Sequence, residues 1–194
     1  MSDTLYTIGH STHPTEEFVR LLRGHGITAV ADVRSAPYSR YNPQFRKETL
    51  AASLKAAGVA YVYLGRELGA RVEDPACHVD GRVSYRKVAQ TELFRSGLQR
   101  VRDGMRNYRV ALMCAERDPI TCHRMMLVTR NLRKEEFAIA HIRADSTLES
   151  NAEAEHRLLD AAGLPAATLF ENQNALIEAA YEHVGRRMSW RPEA

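Results

Sequence analysis

The feature that most constrains this chain is an alternation of two hydrophobic periods. Short β-branched or aromatic runs are separated by amphipathic stretches at helical spacing. Leu5–Ile8, Ile27–Val33, Val59–Leu64, Tyr108–Met113 and Phe137–Ile142 read as five strands. Between and after them, Thr15–Gly24, Lys47–Ala57, Ser84–Met105, Cys122–Arg133, Ala152–Ala162 and Gln173–Arg187 read as helices, with a break expected near Gly97. Strand–helix alternation implies an α/β fold: a mostly parallel five-stranded sheet with helices on both faces, a Rossmann-like three-layer sandwich with right-handed crossovers. The 194 residues suit a single domain spanning 1–194, long enough to bury a core without staples. The Gly65–Arg82 segment reads as a long loop, and Ala152–Ala154 and Ser189–Ala194 as the mobile pieces.

Bulk properties narrow the class. Three cysteines are too few and odd in number for a disulfide framework, so they read as reduced thiols. No apolar run approaches the roughly 18 residues of a spanning helix, and Met1–Ile8 lacks the pattern of a secretory signal. A cytoplasmic protein without a membrane partner is the expectation. A net charge of +3 accommodates anionic metabolites or nucleic acid without choosing between them.

Folds of this kind bind ligands beyond the carboxyl ends of the strands. The unusual polar residues fall there: Gly9-His10-Ser11 after the first strand, Asp32 to Arg40 after the second, and Gly65-Arg66-Glu67 after the third. Cys114-Ala115-Glu116 and then Cys122-His123-Arg124 follow the fourth, and Arg143 and Asp145 the fifth. The blocks Thr7–Ser11, Asp32–Phe45, Tyr63–Arg71 and Cys114–Arg124 resemble the signature of a bacterial and archaeal family, domain of unknown function 488. That resemblance implies an α/β fold and assigns no activity.

The residues themselves suggest roles. Glu116 and Asp32 are candidate acid/base or substrate-orienting carboxylates, and His10 titrates nearest neutrality. Cys114 at a strand exit is a candidate nucleophile. Arg34, Arg40 and Arg124 can fork an anion, with Ser39, Arg66, Cys122 and His123 completing a binding pocket. The bland reading of each is an internal ion pair, a helix cap or a packed thiol. No cofactor is expected. Zinc or iron on Cys114, Cys122 and His123 is the sharper variant, set against the expectation that adjacent Cys122 and His123 diverge at a helix start. No Gly-rich dinucleotide motif or P-loop lysine is present.

The leading expectation is a hydrolase or transferase acting on an anionic small molecule or nucleotide. One alternative is a nucleic-acid-binding or nucleic-acid-processing protein, using the arginines at 95, 100, 102, 106, 130 and 133 and Lys134. A metal- or thiol-based sensor or interaction module is the other.

Overall fold

In the computed structural model, described over residues 3–164 and 172–192, the chain forms an α/β sandwich on a six-stranded sheet. The strands are β1 (Thr4–Gly9), β2 (Ala29–Asp32), β3 (Ala60–Tyr63), β6 (Val110–Cys114), β7 (Ala138–Ile142) and β8 (Leu148–Ser150), in the order β3-β2-β6-β1-β7-β8. All neighbouring pairs are parallel except β7 and β8. The sixth strand corrects the expected five: it is a three-residue edge piece folded back on β7, too short to show a two-residue period.

Side chains alternate cleanly across the sheet. Ala29, Ala31, Val110, Leu112 and Cys114 enter one apolar cluster, while Val30, Ala111 and Met113 enter the other. The second cluster lies under α1 (Thr15–Gly24) and α2 (Lys47–Ala56), through Phe18, Leu21, Leu22, Leu50 and Leu54. The first is covered by α5 (Glu92–Met105), a π-helical turn at Arg124–Val128, α6 (Asn151–Ala162) and α7 (Gln173–Met188). The crossovers from β1 to β2 and from β6 to β7 therefore leave in opposite directions over opposite faces. A crevice opens between them, beyond the carboxyl ends of β1 and β6.

Several sequence expectations need correction. The expected loop at 65–82 contains a short helix α3 (Gly65–Leu68) and a two-stranded ribbon of β4 (His78–Val79) and β5 (Arg82–Val83). The expected long helix breaks before Glu92, not at Gly97: α4 (Tyr85–Val88) ends and α5 restarts where Thr91 Oγ1 accepts the Phe94 amide at 3.2 Å. Gly97 stays helical because α5 packs there on α3, where an added Cβ would lie 2.6 Å from the Glu67 Cβ. Ala152–Ala154 is an ordered helix start, closed by a Ser150/Glu153 capping box with Ala154 buried. Ser189 is buried too, and its carbonyl accepts from Arg82 while that of Trp190 accepts the Val83 amide at 3.0 Å. Residues 193 and 194 lie outside the described residues. Among the described residues no helix is long and apolar enough to cross a membrane.

Parallel pairing of β1 with β6 continues past the strands, as His10 and Ser11 donate to the carbonyls of Cys114 and Ala115 at 2.8 and 2.9 Å. Gly9 makes this approach possible, because a Cβ there would stand 1.9 Å from the Glu116 carbonyl oxygen. Gly9→Ala should therefore cost about 1–3 kcal/mol or more. A urea midpoint matching the wild type would contradict this close contact.

Candidate functional site

Cys114 closes β6 on the face that carries the helical cluster, and the chain then turns through Ala115–Asp118 before doubling back at Cys122. Cys122 is extended, with φ −138° and ψ 142°, and helical geometry begins only at His123. The extended residue swings its side chain back toward β6. The sulfur, nitrogen and carboxylate atoms of Cys114, Glu116, Cys122 and His123 consequently lie within 4.8 Å of one another. The expected divergence of Cys122 and His123 is thus overturned: it assumed that both stand on one helix.

The cluster is tightly bonded. Glu116 Oε2 lies 2.9 Å from both sulfurs, and Cys114 Sγ lies 3.5 Å from His123 Nδ1. His123 Nε2 is 2.9 Å from the Val33 carbonyl, which accepts only if Nε2 carries the proton. The Nδ1 lone pair then faces the sulfurs. Glu116 is exposed as a residue, yet the enclosure of its carboxylate against the sulfurs and the Cys122 charge raise it. Burial, reinforced by Cys122 and Glu116, pushes the Cys114 thiol well above its ordinary range. For Cys122 burial acts in the same direction, but the hydrogen bond from Cys114 and the charges of Arg124 and His123 outweigh it and hold the thiol low. Burial lowers His123, and its Cys122 partner more than restores it, so the imidazole is raised. Cys122, placed by sequence among the binding residues, has more thiolate character than Cys114, the expected nucleophile.

The arginines divide differently from expectation. Arg124 is wholly buried, and its guanidinium donates to the carbonyls of Glu116 (2.6 Å) and Arg117 (3.1 Å) and to Thr7 Oγ1 (3.3 Å). It holds the 116–117 turn and does not reach open space. Asp32 is equally enclosed, accepting from Arg34 Nε (2.9 Å), Arg34 Nη2 (2.6 Å), the Arg34 amide (3.1 Å) and the Tyr61 hydroxyl (2.8 Å). With so many donors on one carboxylate it positions Arg34; it has no free face toward a substrate. His10 stacks on Phe45 at 4.1 Å, and its Nε2 lies 3.1 Å from Arg34 Nη1. Burial first, then the Arg34 charge, lower its pKa to about 4, so it is neutral at pH 7.

A cleft of about 450 Å³ opens onto the cluster. Arg34 and Arg71 stand in its wall with Cys114, Glu116 and His123, and Met188 and Trp190 close one side. Ser39, Arg40 and Arg66 lie outside it: Ser39 Oγ caps the Asn42 amide at 2.8 Å, and both arginines are exposed. Arg71 was visible in sequence only as one of several loop charges. Trp190 had one available signal, as the sole tryptophan of the chain, in a segment that composition alone marks as a tail.

A family model described as Domain of unknown function DUF488 matches residues 14–131. The chain belongs to this family. The DUF488 span contains Asp32, Arg34, Arg71 and the whole Cys114–Arg124 turn, whereas the Thr7–Ser11 exit and the Trp190 wall lie outside it. No curated protein and no solved structure matches the chain.

The His10 environment makes a prediction with a definite sign. Its folded pKa is depressed from 6.5 to about 4, so its stabilising contribution is present above pH 6.5 and is lost as pH falls toward 4. The loss is on the order of 3 kcal/mol. Buried His141, lowered to about 3 by burial and then by Arg124, adds a second such slope. Urea melts between pH 7 and pH 4 should show steeply falling stability, shallower in His10→Gln. An identical slope in that variant would exclude His10 as a source.

Proposed function

We propose that this DUF488 protein is an enzyme, of the hydrolase or transferase class, acting on a small anionic molecule or nucleotide in the cleft beyond β1, β2 and β6. One observation carries the reading: two guanidinium groups, Arg34 and Arg71, stand in one cleft wall with the Cys114, Glu116 and His123 cluster. Asp32 and His10 engage one edge and one Nη of Arg34, three of the five N–H donors an arginine possesses, so the remaining edge can take an anion. Arg71 is exposed and supplies the second cation. Glu116 is the acid/base candidate, since a carboxyl raised by burial works closer to neutral pH.

The nucleic-acid reading draws less support from five of the seven basic residues behind it. Arg100 pairs with Glu67, Arg102 with Glu135, Arg106 with Asp103, Arg130 with Glu178 and Glu182, and Arg133 with Glu155 and Glu178. Each of the five therefore faces an acid of this chain as well as solvent.

A thermal-shift screen of nucleotides and phosphorylated metabolites should find anions that stabilise the protein, with the shift abolished in Arg71→Ala. Glu116→Gln should lower turnover of the compound so identified by about 10²-fold or more, while the melting temperature changes by no more than a few degrees. If no anion stabilises the wild type, or if Arg71→Ala responds as strongly, the proposal fails.

A further inference from the structure

The geometry points to a metal site of four ligands, Cys114, Cys122, His123 and Glu116, built for one divalent ion of the zinc class at the floor of the cleft. The inference shares Cys114, Glu116 and His123 with the anion-binding reading but uses neither Arg34 nor Arg71, so the two can fail separately.

Four features of the cluster support it. The donor set is soft and borderline: two thiols, one imidazole and one carboxylate, the types that zinc and ferrous iron share. The spacing fits as well. Bonds of about 2.3 Å to sulfur and about 2.0–2.1 Å to nitrogen, arranged tetrahedrally, place an S···N pair about 3.5 Å apart. Cys114 Sγ and His123 Nδ1 are separated by 3.5 Å. The imidazole is also oriented as a ligand would be. Its Nε2–H is committed to the Val33 carbonyl at 2.9 Å, a partner that fixes the ring and turns the Nδ1 lone pair inward. Lastly, the surroundings suit a thiolate: the Arg124 amide lies 3.4 Å from Cys122 Sγ, and the Arg124 guanidinium is wholly buried beside the same turn.

Charge balance agrees with this. Two thiolates and a carboxylate carry three negative charges, which a divalent ion and the buried Arg124 cation together cancel. The one distance that departs from a loaded site is also informative. Glu116 Oε2 lies 2.9 Å from each sulfur, closer than the roughly 3.5 Å edge of a tetrahedral ion. Such approaches between acids need protons between them, and metal binding displaces those protons. A loaded ion requires the carboxylate to draw back from the sulfurs, and Glu116 already lines the cleft. Glu116 is therefore the exchangeable fourth ligand, and its position is where a cleft ligand would meet the ion. Cys77, the remaining cysteine, lies outside the cluster.

The test uses the full chain, purified under reducing conditions without a histidine tag, stripped with chelator and titrated with Co²⁺ and then Zn²⁺. The expected result is a one-to-one end point, with thiolate-to-cobalt charge transfer and the visible bands of a tetrahedral ion, both erased by Zn²⁺. Cys122→Ser and His123→Ala should lose the signal, Cys77→Ala should keep it, and Glu116→Gln should bind at least tenfold more weakly. Arg71→Ala should bind Co²⁺ as the wild type does, so loss of anion binding and loss of metal binding are read separately. Should the cysteine variants fail to fold, the wild-type spectrum still decides, since charge transfer reports thiolate ligation directly. A folded, reduced wild-type chain with no saturable uptake, or with uptake lacking the charge-transfer band, overturns the site.

Discussion

The buried guanidinium of Arg124 is the constraint from which the rest of the site follows. An unpaired charge in a protein interior costs several kcal/mol, so it persists only where the surroundings supply acceptors. Here the acceptors are the Glu116 and Arg117 carbonyls and Thr7 Oγ1. Because two of them belong to one turn, Arg124 fixes the chain that follows β6 against the end of β1. That proximity in turn requires Gly9, whose bare Cα leaves space for the Glu116 carbonyl. The aim of the Glu116 side chain, and its contact with both thiols, is thus set from behind by a residue that never reaches the cleft.

A second buried cation, Arg34, is handled by a different device. Asp32 neutralises it directly, with side-chain bonds of 2.6 and 2.9 Å, and Tyr61 bonds the same carboxylate. Burial against Phe45, and then the Arg34 charge, keep His10 neutral.

The sheet was legible in the sequence because burial of β1, β2 and β6 on both faces imposes short apolar runs that polarity at the exits interrupts. The strand exits were therefore located correctly, and with them Cys114, Glu116, Cys122 and His123. Partner choice was much less legible. Arg124 and Asp32 carry the charge expected of a binding residue, yet each spends it internally, and nothing in a linear sequence separates a spent charge from a free one. Local conformation was the other gap. Cys122 and His123 converge on Cys114 because Cys122 is extended, and a helical pattern read across Cys122–Arg133 hides that single residue. The tail was misread for a related reason: Ser189 and Trp190 are anchored by backbone bonds to the β5 segment, and backbone bonds leave no trace in side-chain composition.

The inversion between the two cysteines shows how burial and local compensation compete. Both thiols are almost fully enclosed, and enclosure alone would keep both protonated. They differ in what else surrounds them. Cys114 ends a strand with its sulfur among other acids, so every further interaction there adds to the cost of ionising it. Cys122 sits ahead of the π-helical turn, where the hydrogen bond from Cys114 and then the buried Arg124 guanidinium favour its ionised form and the Arg124 amide approaches its sulfur. The arginine that anchors the Glu116 turn thus also contributes, after the Cys114 hydrogen bond, to holding the Cys122 thiol low. Sequence position favours both thiols, Cys114 at a strand exit as a catalytic candidate and Cys122 at a helix start as a binding residue. What lowers Cys122 comes from its neighbours in space, Cys114 first and then Arg124, which stands where the chain has turned inward.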